Sequence, residues 1–516
     1  MSRYNDIYTR LCTVALMLVG VLSAVSGQVL QDQKVASVLD AVTRMYVDSV
    51  DDEDLANEAI TAMINRLDPH SVYLSPSEAQ KARRELENEY RGYGFAANII
   101  DDTLVVVRSI CGGPADKSGL RPGDRILSVG GVTTTGSFVD FRLIDQVMTV
   151  DKGFKIPFMV LGGDGRTKLV KVKSGHVEQN AISNAFLITD NIAYIKIDIF
   201  SKDLGVEFKN VLKKLRKQGA EKLILDLRGN RGGYVGSAVD VASEFMHGGT
   251  FIVGMQWRNG QVERRLTNMD VKDPLRGEVV LLVDDNTASS GELLAAALQD
   301  WDRGTIIGRQ TYGKGVSQNT IVMSDGSELL LTTHRCISPT GRCIQRDYSK
   351  GRQHYKEEEQ RRFESARGGV VDTTGTMYKT LRYDRPVWSG SGVTPDIIIE
   401  RDTTSELFLF EMLTRKNVFV HLAAKTYRLT RGNPDIMSDR SMAERIALQA
   451  KRVGIRCTAE QIVQMPLIMS SMRAEIMKQA DCKLNVVMYT YKYDEYILSA
   501  LRKLKESGQN KQSKND

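Results

Sequence analysis

The sequence predicts a multidomain α/β protein in which a compact β-barrel precedes a layered α/β core, with helical regions at both ends. Three observations support this fold class. The 516 residues exceed what one hydrophobic core usually organises, so two to four domains are expected. From about 91 to 175, short β-branched runs are separated by glycines. From 176 to about 335, strands alternate with amphipathic helices, which indicates a sheet with crossover connections.

The first 27 residues have the layout of a secretory signal. Arg3 and Arg10 precede an apolar run at 11–25, and small residues follow it. The run is shorter than the about 20 residues that span a membrane, although an uncleaved anchor is an alternative. We therefore expect an exported protein of the periplasm or cell envelope, either released or associated with the inner membrane through this segment.

Residues 28–90 form a predicted helical region. Apolar side chains recur at helical spacings of three and four. These positions are Val35, Val38, Leu39, Val42 and Met45. A second helical pattern covers 55–67, and Pro69 ends it because proline disfavours helical geometry at Asp68.

The remaining boundaries follow from changes in pattern. Residues 91–175 hold the predicted β-barrel, with one short helix in the segment from Gly112 to Asp124. The α/β core covers 176–402 and includes a charged segment at about 345–385 that has little periodicity, so we expect an exposed insertion. A helical region follows at 403–508, and the polar residues 509–516 predict a disordered tail.

Composition excludes several functions. The net charge of +6 is small for this length and basic residues are interleaved with acidic ones, so nucleic-acid binding is not expected. Histidine and cysteine ligands are not clustered, so no metal site is expected. Five cysteines follow the leader, an odd number. Small buried thiols are therefore expected, with a Cys336–Cys343 bridge as the alternative.

Three segments suggest nucleophilic catalysis. In NTASSGELLAAALQD, Ser289 and Ser290 lie between a strand and a helix, where the helix N-terminus favours developing negative charge. Each serine could instead simply cap the helix. In GRQTYGKGVSQ, Lys314 lies between two glycines that allow close packing of the backbone. A lysine acts as a base only when uncharged, which requires burial, and a solvated surface lysine is the alternative.

The third segment, LILDLRGNRGGYVG, places Gly229, Gly232 and Gly233 after a predicted buried strand. Glycine permits backbone conformations that direct N–H groups into a cavity, as an oxyanion hole requires. Such a turn could equally hold a phosphate. The phosphate-binding pattern GxxxxGK[ST] does not accompany it.

Together these segments resemble the C-terminal processing, or tail-specific, serine proteases. TYGKG resembles the motif that carries the family's base, and Lys314 follows Ser289 by the family separation of 25 residues. The resemblance implies that Ser289 is the nucleophile, Lys314 the general base and Gln318 the residue that orients the lysine. The implied oxyanion donors are the backbone N–H groups of Ser290 and of either Gly232 or Gly233.

The resemblance extends over about 30–400. It implies a ClpP/crotonase-like protease core with an inserted PDZ domain, whose loop at Tyr93, Gly94 and Phe95 would bind the free C-terminus of a protein or peptide substrate. It also suggests a homodimer formed through the C-terminal helices. The PDZ domain could instead gate the site structurally, and a catalytically silent PDZ scaffold is the rival function.

Two positions depart from the family pattern. Ser289 and Ser290 are adjacent, whereas the family alternates serine with alanine, so Ser290 is a rival nucleophile. Arg231 stands where a proline is common, which leaves the choice between Gly232 and Gly233 open.

Overall fold

The computed structural model describes residues 33–87, 89–136, 144, 147–148, 154–162, 164–178, 180–364, 374–400, 405–481 and 484–512. The predicted signal at 1–27 lies outside these residues. Within them, no helix is both long enough and apolar enough to cross a membrane. The chain forms two compact units, of which the first contains residues up to 79 together with 318–332, and the second contains 80–317 and 333–516.

The first unit begins with two helices, α1 (33–45) and α2 (Asp52–Ile64). Helix α2 starts after Asp51, whose carboxylate accepts the N–H of Asp54 at 3.0 Å and so caps the helix. Strand β1 (Val72–Leu74) then pairs antiparallel with residues 328–330. The two predicted N-terminal helices are confirmed.

A five-stranded path, β3-β4-β5-β7-β8, lies in the second unit, with β6 paired to β5. Its strands are β3 (Phe95–Ile100), β4 (Thr103–Ser109), β5 (Arg125–Val129), β6 (Val132–Thr133), β7 (Lys155–Leu161) and β8 (Thr167–Lys173). Helix α3 (Pro76–Glu87) precedes this sheet, and β2 (Glu89–Gly92) pairs with β9 (Gly175–Glu178). The fully buried Phe158 contacts the rings of Tyr93 and Phe95 edge-on. The short helix α4 (Pro114–Lys117) lies where the sequence predicts a helix, but Ile144, Val147 and Met148 are helical as well, so the expectation of one helix in this region is wrong.

The central six-stranded sheet has the order β10-β11-β12-β15-β16-β21. Its strands are β10 (Ile182–Leu187), β11 (Ile192–Ile197), β12 (Lys222–Asp226), β15 (Val279–Val283), β16 (Gly304–Gly308) and β21 (Ile397–Ile398). All pairs are parallel except β10–β11. The predicted alternation of strands and helices is confirmed by α5 (Leu204–Lys217), α6 (Val235–Ser243) and α7 (Ser290–Asp300).

Successive residues of each central strand point to opposite faces. Leu223 and Leu225 belong to the large apolar cluster shared with α5, α6 and α7, whereas Ile224 belongs to the cluster on the other face. The carboxyl ends of parallel strands lie along one edge of a sheet, where α/β proteins commonly place their functional groups. Arg228 to Gly233, Asp284 to Ser289 and Arg309 to Lys314 follow the neighbouring strands β12, β15 and β16 at this edge.

Smaller β-elements flank the central sheet. They are β13 (Phe251–Gln256), β14 (Val262–Leu266), β17 (Val316–Val322), β18 (Glu328–Ile337), β19 (Met377–Lys379) and β20 (Pro386–Trp388). Within the second unit, β13 pairs with β14 and with the end of β18, and β19 pairs with β20.

The C-terminal region is helical, as predicted. After α8 (Arg352–Glu364), its helices are α9 (Ser405–Arg415), α10 (Val418–Thr430), α11 (Asp439–Arg452), α12 (Ala459–Val463), α13 (Pro466–Ala480), α14 (Val487–Thr490) and α15 (Glu495–Gln512). Short 3₁₀ turns occupy Pro434–Ile436 and Tyr491–Tyr493. Helices α9 to α13 share one apolar cluster. Helix α15 instead packs on the central sheet, because Ile497 and Leu504 belong to the cluster that contains Ile224.

Three expectations need correction. The charged segment at 345–385 is not simply an exposed insertion, because it contains α8, and Arg346 and Tyr355 are buried. The expected disordered tail at 509–516 begins inside α15, which continues to Gln512, while 513–516 lie outside the described residues. Cys336, Cys343 and Cys457 are free thiols as expected, but Cys111 is disulfide-bonded.

Candidate functional site

Ser289 occupies the strained junction between β15 and α7. Its φ of 53° and ψ of −120° lie outside the regions that non-glycine residues normally adopt, and such strain often marks a functional site. Its side chain is partly exposed. Gly232 packs directly against it, since a Cβ at position 232 would lie 2.6 Å from Cβ of Ser289. Only glycine therefore fits beside this serine.

The adjacent Ser290 has a different environment. It is fully buried, and its hydroxyl donates to the backbone oxygen of Gly233 at 2.7 Å. This bond uses the one proton that a nucleophilic serine must give to a base. Of the two rivals, only Ser289 has a side chain that reaches solvent.

Asn230 ties the glycine-rich turn to the Ser289 segment. Its side-chain oxygen accepts the N–H of Gly232 at 2.7 Å, and its side-chain amide donates to Ile197 at 2.9 Å. Its backbone oxygen accepts the N–H of Ala288 at 2.9 Å. The N–H of Gly232 is thus already engaged inside the turn. Asn230 is buried, and it is not among the residues that the sequence predicts for the site.

Gly233 follows with a φ of 142°, a left-handed conformation that favours glycine. A Cβ at this position would lie 2.2 Å from the backbone oxygen of Phe200, so no side chain fits. The close approach of Phe200 therefore explains the second glycine of the pair.

Glu292 connects Ser289 to the turn that carries Lys314. One carboxylate oxygen accepts the backbone N–H of Ser289 at 2.9 Å and that of Lys314 at 2.8 Å. The other accepts the N–H of Gly313 at 2.6 Å and the hydroxyl of Thr311. Two segments separated by 25 residues are thereby held on one side chain. The sequence signal is a glutamate at the third position of the helix after its cap, where a carboxylate can reach back to the cap N–H.

The carboxylate of Glu292 is completely buried, and this burial raises its pKa even though Thr311, Lys314, Gly313 and Ser289 donate hydrogen bonds that lower it. A buried carboxylate that accepts several donors is rigidly held, because each donor would lose its partner if the side chain moved.

The glycines around Lys314 allow the close packing expected from the sequence. A Cβ at Gly313 would lie 2.4 Å from Cγ of Arg346, and one at Gly315 would lie 2.6 Å from the backbone nitrogen of Gln345. Lys314 itself is partly buried. Burial raises the pKa of the nearby Cys336 thiol to about 12, an effect that Cys343 increases and the charge of Lys314 opposes.

Gln318 belongs to the first unit, where it has a defined hydrogen-bond partner. Its side-chain nitrogen donates to the hydroxyl of Thr332 at 3.0 Å, and that hydroxyl donates to Asp68 at 3.2 Å. Because the single proton of Thr332 goes to Asp68, its oxygen accepts from Gln318. The amide oxygen of Gln318 is thereby directed away from Thr332 and remains an acceptor. Neither Thr332 nor Asp68 is among the residues that the sequence predicts for the site.

The loop at Tyr93, Gly94 and Phe95 leads into β3. Tyr93 is buried, Gly94 has a φ of 72°, and Phe95 begins the strand. Among the strands that the structure describes, β3 ends the order of its sheet, with only β4 beside it. An edge strand of this kind can accept a peptide as an added strand. The described residues contain no group of three or more His, Cys, Asp or Glu that could hold a metal ion.

Comparisons with known proteins identify three regions. The sequence pattern of peptidase family S41 matches residues 191–351, a PDZ domain matches 105–146, and the N-terminal domain of the activating protease CtpB matches 22–77. The photosystem II D1 C-terminal processing protease is a similar solved structure, with 24% identity and a TM-score of 0.37 over 71% of this chain and 92% of that one.

Two relatives from Bacillus subtilis (strain 168) are similar over more than half of this chain. Carboxy-terminal processing protease CtpB is 27% identical over 315 residues, which cover 60% of this chain and 65% of CtpB. Carboxy-terminal processing protease CtpA is 30% identical over 329 residues, which cover 63% of this chain and 69% of CtpA. The match to CtpB therefore spans slightly less than two thirds of its length. With a PDZ domain and the S41 pattern in one chain, and with this similarity to CtpA, the chain belongs to the carboxy-terminal processing serine proteases of peptidase family S41.

Proposed function

We propose that this chain is a serine endopeptidase in which Ser289 is the nucleophile and Lys314 the general base. The observation that carries the proposal is the Glu292 carboxylate oxygen that accepts the backbone N–H groups of both residues. A strained serine beside a helix N-terminus and a partly buried lysine on a fixed turn are the parts that Ser-Lys catalysis requires. Ser290 is the weaker candidate because its hydroxyl is buried and bonded to Gly233.

The proposed reaction starts with an uncharged Lys314. Its amine takes the hydroxyl proton of Ser289 while the oxygen attacks the scissile carbonyl carbon. The resulting ammonium then protonates the departing amine, which leaves an acyl-enzyme. Lys314 next removes a proton from water, and the hydroxide attacks the acyl carbonyl carbon. As the bond from that carbon to Oγ of Ser289 breaks, the ammonium of Lys314 returns the proton to Oγ, which restores both side chains and releases the product carboxylic acid. This sequence balances its protons without a metal or an organic cofactor.

The oxyanion would be held by backbone N–H groups next to Ser289. Ser290 supplies one of them at the first position of α7, where the helix dipole adds to the stabilisation. For the second, Gly233 is favoured over Gly232, because the N–H of Gly232 already donates to Asn230. The family resemblance would also assign to Gln318 the role of orienting Lys314.

We further propose that the PDZ domain selects substrates by their free C-termini, using the loop at Tyr93, Gly94 and Phe95 and the open edge of β3. The proposed domain limits remain 28–90, 91–175, 176–402 and 403–508, with a ClpP/crotonase-like core and a PDZ β-barrel. Export to the periplasm or cell envelope is supported by the disulfide at Cys111, because disulfides persist in oxidising compartments. Dimerisation through the C-terminal helices and membrane association through the leader remain predictions.

The test is cleavage of an unfolded protein with an apolar C-terminus by the full chain and three variants. We expect Ser289→Ala and Lys314→Ala each to lower kcat at least 1000-fold, because each removes a group that takes part in bond making. Lys272→Ala is the matched control, since this lysine is exposed on a loop, and it should cleave as the wild type does.

The result also separates the rival functions. A wild-type chain that binds C-terminal peptides but cleaves no substrate would be the PDZ scaffold. Near-normal turnover by Lys314→Ala would refute the proposal that Lys314 is the general base. Ser290→Ala tests the rival nucleophile, and its retention of cleavage is expected.

A further inference from the structure

Helix α8 of the charged segment is attached to the turn that carries Lys314. Arg362 donates to the backbone oxygens of Thr311 at 3.1 Å and Ser391 at 2.9 Å. The hydroxyl of Tyr312 donates to Glu359 on the same helix at 3.1 Å. Since Thr311 and Tyr312 immediately precede Gly313 and Lys314, α8 fixes the approach of the chain to the proposed base.

Arg346, which precedes α8, packs under the same turn. Only 1% of its surface is exposed. Its stem passes so close to Gly313, whose φ is 91°, that a Cβ there would lie 2.4 Å from Cγ of Arg346. The path of this arginine is thus possible only beside a glycine, and that glycine is the neighbour of Lys314.

The guanidinium of Arg346 is buried with few polar contacts to offset its loss of hydration. Among the described residues, none of its three nitrogens makes a hydrogen bond of good geometry, and the hydroxyl of Tyr355 is the polar group that interacts with it most closely. The guanidinium carbon Cζ of Arg346 lies 3.9 Å from the ring centroid of Tyr355 and 4.7 Å from that of Tyr312. The nearest carboxylate, that of Glu359, is 4.0 Å away and about half exposed.

Arg342, four residues earlier, shows how this chain otherwise buries an arginine. It donates to Asp300 at 3.0 Å, to Gln299 at 2.8 Å and to the backbone oxygen of Trp388 at 3.0 Å. A buried cation without such partners is costly. The contrast makes a purely structural role a poor explanation of Arg346.

We propose that Arg346 is a positioning residue for Lys314, which it serves by fixing the Tyr312–Gly313 turn and by placing a permanent positive charge beside it. The inference rests on the proposed role of Lys314 as the base. A fixed cation disfavours a second positive charge nearby, and so favours the uncharged amine that the reaction needs. The other ionisable groups around this turn and around Arg346 are Glu292, Tyr312, Tyr355, Glu359, Arg362, Cys336 and Cys343.

The readout is the pH dependence of labelling of the full chain by an alkyl fluorophosphonate, which reacts with an activated serine. At an effective dielectric constant near 20, two like charges on the order of 10 Å apart change a pKa by about one unit. In a plot of labelling rate against pH, the rate should rise as Lys314 loses its proton. We therefore expect Arg346→Met to move this rise, the rising limb, about one pH unit higher. Arg346→Lys, which keeps the charge, should restore most of the wild-type limb. Arg361→Met, on an exposed position of α8, is the matched control and should leave the limb unchanged.

The outcomes separate this inference from the proposed function. A wild type that is not labelled, or a Lys314→Ala variant labelled as fast as wild type, would end the proposed function. An active wild type and a folded Arg346→Met variant with the same limb would overturn the inference alone. If Arg346→Met does not fold, Arg346→Gln, which also removes the charge but keeps a polar end, replaces it in the same labelling experiment. The same upward movement of the pH profile is expected, and a wild-type profile would overturn the inference.

Discussion

The carboxylate of Glu292 accepts main-chain N–H groups from Ser289, Gly313 and Lys314. A glutamine of the same shape has only one oxygen and would direct its own N–H groups toward some of these donors. The hydroxyl of Thr311 is a fourth donor. Glu292 is therefore more than a helix cap, since the carboxylate that caps the start of α7 also holds the turn that carries the proposed base. A small change at this residue should therefore affect both stability and turnover.

We predict that Glu292→Gln lowers the free energy of unfolding by about 3 kcal/mol, because buried donors lose a charged acceptor. It should also lower kcat on the order of 100-fold, since a displacement of about 1 Å at a catalytic group has that effect. Chemical denaturation and steady-state cleavage measure the two quantities. Glu207→Gln is the matched control. Glu207 lies on helix α5, is half-buried, and accepts the backbone N–H groups of Ala181 and Ile182 at 3.2 Å. Loss of its negative charge should therefore lower the free energy of unfolding without lowering kcat. Equal kcat values for Glu292→Gln and wild type would refute the argument.

The sequence located the proposed chemistry but not its support. Ser289 and Lys314 lie in short glycine-containing motifs whose spacing is visible in one dimension. Asn230, Glu292 and Arg346 act through contacts with residues distant in sequence, and nothing next to Arg346 in the chain shows that Tyr312 and Tyr355 will enclose it. The choice between Ser289 and Ser290 likewise required the bond from Ser290 to Gly233.

At the scale of elements, helix α15 closes one face of the central sheet. Ile497, Ala500 and Leu504 are buried against it. Asp494, just before the helix, forms an ion pair with Arg228 at 2.8 Å, and Arg228 also pairs with Asp226 on β12. Although burial raises the pKa of Asp226, Arg228 and Lys196 reverse this effect and hold it well below the usual range. The C-terminal helix thus completes the core of the sheet whose edge carries the proposed site.

We predict that Ile497→Ala lowers the free energy of unfolding by about 2–5 kcal/mol, because it leaves a cavity against the sheet. Lys505→Ala, at an exposed position of the same helix, should change it by less than about 0.5 kcal/mol. Denaturant titration of both variants gives the comparison. Equal stabilities would mean that α15 does not contribute to the core as its burial indicates.

The sequence predicted the regular elements of the core well, because buried parallel strands and amphipathic helices have distinct periodicities. It failed at 345–385, where polar residues mask a helix that is held by specific contacts rather than by an apolar face. It also failed at the tail, where α15 continues through polar residues as far as Gln512. The residues of α15 that pack in the core extend to Leu504, and the polar residues after it continue the same helix. The composition of those polar residues alone does not indicate a helix.

At the scale of the second unit, the sheet that contains the PDZ match packs on the C-terminal helices. Ile100, Val105 and Val107 form an apolar cluster with Ala424 of α10. Around it, Asn98 bonds His421 at 2.8 Å, and Arg108 pairs with Glu475 at 3.3 Å. The outer face of β3, the proposed peptide-binding strand, is therefore held by a region that lies beyond the residues matched by family S41.

This contact should weaken in acid. Burial lowers the pKa of His421 below its usual 6.5, so the neutral imidazole stabilises the contact above about pH 6.5, and this stabilisation is lost as the pH falls below that value. The charged groups nearby are Asp101, Lys425, Arg452, Arg108, Glu475 and Lys478. Of the groups at this contact, His421 is the one whose ordinary pKa lies between 5 and 8.

We predict that hydrogen-exchange protection factors of β3 and β4, corrected for the intrinsic effect of pH, fall several-fold between pH 7.5 and pH 5.5. In His421→Gln the fall should disappear, because glutamine can still bond Asn98 but cannot gain a proton. His247→Gln, at an exposed histidine of the same unit, should keep the wild-type response. Protection that falls equally in His421→Gln and wild type would assign the acid sensitivity to another group. The result expected here would instead show that one half-buried imidazole controls how firmly the C-terminal helices hold the strand proposed to bind substrate.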